Sequence, residues 1–334
     1  MRLACGKARV EVDPIGAILA DAVLYVDGRP VRPLFQNPWR DDPRDMDVLT
    51  RHLGGEWPCV PFGVPDPPKG PPADLPAGWP ENPGRTPWHR HAHGFGAHHP
   101  WRLIQDGAQT VLAEITYPDD GPVAGLKRRI HLASESEIQL ELEVHARQDA
   151  AIPIGLHPVL SLAEAEPSAA FLRVAGQDSA WTFPREVEPS RSHLEADQQG
   201  VSLKSLQSRQ GTPVDARALP FVGKSEDLVL LTAPGGCVSL SRPDLGYQVD
   251  VIWDDAKLPS CLLWLSNRGR DYAPWDGRVC AVGIEPVAAA FDLGVAPSLT
   301  AHTPLARNDI KTAVQLCKES VWKVAYSIRV RPEG

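Results

Sequence analysis

EIQLELEVHA, residues 137 to 146, alternates without a slip. Ile138, Leu140, Leu142 and Val144 fall on one side of an extended chain; Glu137, Gln139, Glu141 and Glu143 fall on the other. A period of two is the signature of a strand with one face buried and one face wet. Just upstream, GLKRRIHLA at 125 to 133 is the expected antiparallel partner, its basic residues placed to meet the glutamates across the pair. Working outward, short runs rich in β-branched and aromatic residues predict strands at 8–12, 22–26, 111–117, 169–174, 228–231, 237–241, 247–253, 260–266, 279–284 and 321–330. Helical periodicity is weak: a short turn is expected within 43–53 and a longer helix within 304–319.

Many short strands over 334 residues predict an all-β chain: a large antiparallel β-sandwich with few short helices, forming one domain over 1–334. Proline is abundant, 34 residues against an average share of about 5%, and it crowds a loop at about 58–90. Proline excludes helix there, and a loop of that length in a compact domain is usually functional or disordered. A net charge of -8 argues against nucleic acid or an anionic membrane as the main partner. The six cysteines show no CxxC pair and no metal-ligand spacing, so reduced thiols are expected. The start, MRLACGKARVEV, lacks the basic and apolar regions of a signal peptide, and no apolar run approaches the length of a membrane span. A cytoplasmic location is the expectation.

Three stretches carry residues suited to chemistry. WHRHAHGFGAHHPW, 88 to 101, holds His89, His91, His93, His98 and His99. If 89 to 93 is extended, His89, His91 and His93 share a face, an arrangement that can bind a transition metal or line a polar pocket; a solvated loop is the plain alternative. A metal motif of this class would add a glutamate soon after the His-x-His pair, and none occurs before Glu114. In IPIGLHPVL, 152 to 160, His157 follows an apolar strand and precedes a proline that holds it extended. It is either a proton donor near neutral pH or a core histidine bonded to a backbone carbonyl. In VCAVGIEPVAAAFDL, 279 to 293, Glu285 closes an apolar strand. Desolvation there would raise its pKa and improve it as a base; a rim salt bridge is the alternative. A fourth stretch, WLSNRGRDYAPW at 264 to 275, sets Trp264, Asn267, Arg268 and Arg270 together. Tryptophan faces stack on sugars and arginine forks bind hydroxyls or anions, whereas Asn267 and Gly269 can equally make a turn.

Taken in order, these stretches resemble the aldose 1-epimerase (galactose mutarotase) family. The resemblance rests on GGEWPCVPFG at 54–63, His93-Gly94-Phe95 followed by Trp101, Leu156-His157-Pro158, and Ile284-Glu285-Pro286. It spans roughly residues 50 to 290. It implies a galactose mutarotase-like β-supersandwich with an open sugar cleft and no cofactor or metal. His157 would act as acid on the ring oxygen and Glu285 as base on the anomeric hydroxyl, facing one another across a hexose-sized hollow. His93 would bind the sugar, and Asp227 lies where the family often has a substrate-binding aspartate. The family commonly places an arginine directly before the Gly-Gly loop. Here Leu53 stands there and Arg51 lies two residues earlier. Arg51, Asn267, Arg268 and Trp264 complete the expected sugar-binding set. The expected partner is a small-molecule sugar or sugar derivative, with a homodimer left open. Two rivals remain: a carbohydrate-binding protein without turnover on the same scaffold, and a metal-dependent enzyme using the His89–His99 cluster.

Overall fold

The structure, a computed structural model, describes residues 1–65, 75–79 and 86–334. Two large antiparallel sheets dominate it. The nine-stranded sheet runs, neighbour to neighbour, through Ala218–Leu219, Ala170–Val174, Cys237–Arg242, Tyr247–Trp253, Val321–Pro332, Glu137–Ala146, Val123–Leu132, Thr110–Thr116 and Arg102–Asp106. The eight-stranded sheet runs through Val201–Ser202, Ser179–Thr182, Ser225–Thr232, Ser260–Asn267, Cys280–Ala288, Ile154–Leu156 and Pro58–Cys59, with Val159–Ser161 also paired to Cys280–Ala288. A four-stranded sheet of Arg2–Cys5, Ala8–Val12, Leu19–Val26 and Arg29–Val31 joins them.

The alternating strand sits as its pattern requires. Ile138, Leu140, Leu142 and Val144 are buried, and the strand pairs in register with Val123–Leu132. Lys127 stands opposite Glu143 and Arg129 opposite Glu141. Arg128, between them, must point the other way, into the sandwich. There its guanidinium bonds Glu56, the Ala17 carbonyl at 2.7 Å and the Tyr326 hydroxyl at 3.0 Å, while that hydroxyl donates to Glu56 at 2.7 Å. All three side chains are buried, which is tolerable because the opposite charges are paired; of their side-chain polar atoms only Arg128 Nε is left without a partner among the described residues.

The eight-stranded sheet is apolar on both sides. Val229, Leu231, Leu263, Val282 and Ile284 pack with Leu140, Leu142, Val249 and Ile328 of the larger sheet to form the sandwich core. Leu228, Leu230, Leu262, Trp264 and Val287 face away, into a second cluster with Trp39, Trp57, Phe62, Trp79, Trp181, Trp275 and Phe291. Loops from distant parts of the chain supply that second cover, and the candidate site lies beneath it.

Two expectations need correction. The helix expected within 304–319 covers only Pro304–Arg307; Val314–Leu316 is instead a strand paired with Ala150–Ile152. The strand carrying Glu285 does not stop before Pro286 but runs to Ala288, with neighbours on both sides. The helix expected within 43–53 is present as Val48–His52. The middle of the proline-rich loop, 66–74 and 80–85, lies outside the described residues. Among the described residues, no helix is long and apolar enough to cross a membrane.

Candidate active site

The register of the eight-stranded sheet places the two proton-handling residues side by side. Gly155 pairs with Val287 and Val159 with Gly283, so His157 falls directly opposite Glu285. Pro158 has no N–H to continue the ladder, and its carbonyl accepts from Ile284 N–H at 2.9 Å. On the other flank Gly155 pairs with Cys59 and Leu156 with Pro58, and His157 N–H donates to the Trp57 carbonyl at 2.9 Å. Leu230 pairs with Leu262, and Leu262 with Glu285. One row of side chains therefore crosses the sheet as Leu230, Leu262, Glu285, His157 and Trp57.

His157 Nε2 lies 3.5 Å from Glu285 Oε1. The imidazole is stacked on Trp57, ring centroids 4.0 Å apart and planes 15° from parallel, and meets His93 edge-on at 5.0 Å. The expectation that the two residues face one another across a hollow wide enough for a pyranose is not met; they stand side by side on the floor of one cavity. Cross-strand neighbours cannot stand a sugar's width apart. His157 is 6% exposed and Glu285 2%, yet both line a small cavity of about 100 Å³ that opens to solvent.

Burial governs the charge state of the pair. Desolvation, then the neighbouring His93, holds the His157 pKa well below the ordinary imidazole value. Desolvation, then the charge of Asp292, pushes Glu285 well above the ordinary carboxyl value. Both shifts favour the uncharged state, a protonated carboxyl beside a neutral imidazole. His93 is likewise held down to about 3, chiefly by burial.

His93 reaches the pocket by a route the sequence pattern did not suggest. Residues 89–93 are not extended: His93 has φ 59°, and its N–H donates to the Gly63 carbonyl at 2.7 Å. The next residue, Gly94, has φ 88°, and a Cβ there would sit 2.1 Å from the Val60 oxygen, so only glycine lets the two segments touch. Trp101 supports the turn by donating its indole N–H to Gly96 O at 2.9 Å. His93 thereby packs against Phe62 at 5.2 Å, and its Nδ1 has no hydrogen-bond partner among the described residues. A buried polar atom left open beside a cavity is one that a ligand or water would satisfy.

The same turn divides the histidine cluster. His91 packs against His98 at 5.0 Å and His99 at 5.2 Å, with His98 and His99 bonded to the carbonyls of Ala92 and Phe95. The shared face expected of His89, His91 and His93 is not formed. Among the described residues no three His, Cys, Asp or Glu side chains are placed to hold a metal ion.

Of the expected sugar-binding set, Trp264 lines the pocket. Asp227 does not. It lies on the opposite face of its strand from Leu228, and its carboxylate accepts from His193 N–H at 3.0 Å and Leu194 N–H at 2.9 Å. Burial raises it to about 7. Its neighbour Glu226 shares the face of Leu228, accepting from the Trp264 indole at 2.9 Å and the Ser266 hydroxyl at 2.6 Å. Arg51 is also displaced from the expected role: its guanidinium braces a loop by donating to Asp42 O at 2.8 Å and Arg44 O at 2.7 Å. Asn267 donates to Phe221 O and Gly223 O at 2.8 and 2.6 Å, which is the turn-stabilising alternative. Arg268 is exposed and donates to Asn267 Oδ1 at 3.1 Å.

Pocket residues outside the expected set are Leu53, Val187, Leu228, Leu262, Arg270, Trp275 and Asp292. The Arg270 guanidinium lies 4.3 Å over the Trp275 ring, with its Nε 2.9 Å from Glu188 and 3.9 Å from Glu226. Aromatic faces, a paired arginine, two imidazoles and two carboxyls form a surface suited to a polyhydroxylated ligand.

No protein-family model matches the chain, and no curated protein matches it by sequence. Solved structures do match over nearly the whole length. A candidate aldose 1-epimerase from Escherichia coli K12 aligns at TM-score 0.64 and 15% identity, covering 99% of this chain and 98% of that one. A galactose mutarotase related enzyme from Lactobacillus acidophilus aligns at 0.61 and 13%, covering 100% and 97%. A GalM/aldose epimerase homologue from C. elegans aligns at 0.58 and 14%, covering 100% and 99%. The likeness of two stacked antiparallel sheets over the full length establishes that this chain has the galactose mutarotase-like β-sandwich fold.

Proposed function

We propose that the chain is a cofactor-free aldose 1-epimerase that interconverts sugar anomers through His157 and Glu285. The observation that carries this reading is the 3.5 Å approach of His157 Nε2 to Glu285 Oε1 on the floor of one solvent-open cavity. The fold shared with proteins described as aldose 1-epimerase and galactose mutarotase relatives supports a sugar as the ligand.

Opening a hemiacetal requires one proton to leave O1 and one to arrive at O5. Both oxygens are bonded to the same carbon, so an acid and a base standing side by side suit them. With the pair uncharged, His157 Nε2 takes the O1 proton. The O–H electrons form the C1=O1 bond, the C1–O5 bond breaks, and Glu285 delivers its proton to O5. Rotation about C1–C2 exposes the other carbonyl face. O5 then attacks C1, Glu285 recovers its proton from O5, and imidazolium returns one to O1. The family resemblance assigns the acid to His157 and the base to Glu285, whereas burial favours starting with the proton on Glu285. The pair holds one proton in either case, and opening and closing exchange the roles. Each proton transfer contributes about 10²–10⁴-fold.

The test is polarimetry and anomer-exchange NMR on a broad aldose panel. Wild type should accelerate exchange above buffer, and His157→Ala and Glu285→Gln should each lose about 10²–10⁴-fold. Sugar binding by calorimetry with exchange no faster than buffer would select the non-catalytic binding protein instead.

A further inference from the structure

Asp292 belongs to no part of the expected site, yet it lines the cavity with Glu285, His157 and Trp264. Its backbone is fixed. The Asp292 carbonyl accepts from Val64 N–H at 2.7 Å, and a Cβ on Gly63, where φ is 95°, would sit 2.6 Å from that carbonyl oxygen and from Gly294 N. The preceding Phe291 is held at φ 52°, uncommon for a bulky residue, with its ring buried against Trp79 and Phe183. Strained backbone of this kind persists where the surroundings over-determine it, and it clusters at ligand sites. The Asp292 carboxyl makes no hydrogen bond to another described side chain and accepts only from its own backbone N–H. Asp227, in contrast, is closed off by two backbone N–H groups.

The charges around the cavity have a direction. Among the described residues Arg270 is the guanidinium that lines the cavity, and Glu188 at 2.9 Å and Glu226 at 3.9 Å already balance it. Burial pushes the Asp292 pKa up, the nearby cations Arg185 and Arg270 oppose that shift and favour its carboxylate, and the Asp292 charge in turn acts on Glu285. The floor thus holds two carboxyls, while its lining guanidinium is neutralised from behind.

We propose that Asp292 is a specificity-determining carboxylate of this pocket, accepting hydrogen bonds from the hydroxyls of an uncharged sugar and disfavouring sugars that carry a phosphate or carboxylate. The proposal rests on the reading of the cavity as a sugar site. A charged hydrogen bond to a hydroxyl fixes the ring against Glu285 and His157; an anionic substituent brought to the same place meets like charge.

The experiment compares one free aldose with its 6-phosphate and its 6-carboxylate, in wild type and in Asp292→Asn. Anomer-exchange NMR gives kcat and KM, and calorimetry gives affinity. Wild type should favour the free sugar over both anions by about tenfold or more. Asp292→Asn should weaken the free sugar by about 10- to 100-fold, mainly in KM, and narrow the preference by at least tenfold. If the asparagine variant does not fold, Asp292→Ser serves the same comparison. A wild-type preference for either anion, or a variant with unchanged KM and preference, overturns the proposal while the epimerase reading stands. If wild type binds sugar without turnover, the epimerase reading fails and the affinities alone decide the proposal. No binding of any of the three sugars overturns both.

Discussion

At the scale of the residue, Glu285 carries a stability cost that its chemistry requires. Its folded pKa is raised well above the ordinary 4.5 by burial. Below about pH 4.5 the carboxyl is protonated in folded and unfolded chains alike, and no penalty exists. As pH rises, the unfolded chain ionises first and stability is lost, until the folded carboxyl ionises too. Glu285→Gln should therefore be more stable than wild type, with the gap growing from about pH 4.5 upward and levelling off above the folded pKa. Denaturant titrations across pH read this directly; a gap independent of pH would contradict it. His157 contributes on the acid side. Its depressed pKa keeps the imidazole neutral, and hence a base, well below pH 6.5. The acid limb of kcat/KM should accordingly fall below pH 6.5, and a limb at or above that value would place the titration on another group.

At the scale of the element, register and close backbone contact assemble the site. One sheet row delivers Glu285 and His157 together, and one glycine turn delivers His93. A Cβ at residue 94 would collide with Val60 O, so Gly94→Ala should cost about 1–3 kcal/mol in denaturant unfolding and weaken sugar binding by moving His93. A variant as stable and as tight as wild type would show that the turn does not position His93. The strand Ser225–Thr232 shows where sequence patterning stops being informative. Apolar residues occupy both of its faces, so alternation gave no means of telling Glu226, which shares the face of Leu228 and Leu230, from Asp227, which does not. The His89–His93 run misled for a different reason: its period-two face presumes extended backbone, and His93 in the left-handed region breaks that period.

At the scale of the whole molecule, Arg128, Glu56 and Tyr326 tie a loop beside the eight-stranded sheet to two strands of the nine-stranded one. Removing one charge leaves the other buried and unmatched. Arg128→Met should lose about 3–5 kcal/mol, and adding Glu56→Gln should recover a substantial part of that loss. Equal destabilisation in the single and double variants, measured by denaturant unfolding, would rule out the pairing as the cause. The sequence by itself determined the class of fold. Strands alternate or run apolar according to one or two buried faces, and those patterns located 8–12, 137–146 and 247–253 to the residue. His157 and Glu285 were singled out by the likeness of Leu156-His157-Pro158 and Ile284-Glu285-Pro286 to family motifs, since the residues alone left a core histidine and a rim salt bridge open. Only the tertiary structure decided that they stand side by side, that Asp292 joins them, and that Asp227 and Arg51 are occupied elsewhere. Strand pairing and loop closure set distances between residues far apart in the chain, and no local periodicity encodes which distant partner a side chain will meet.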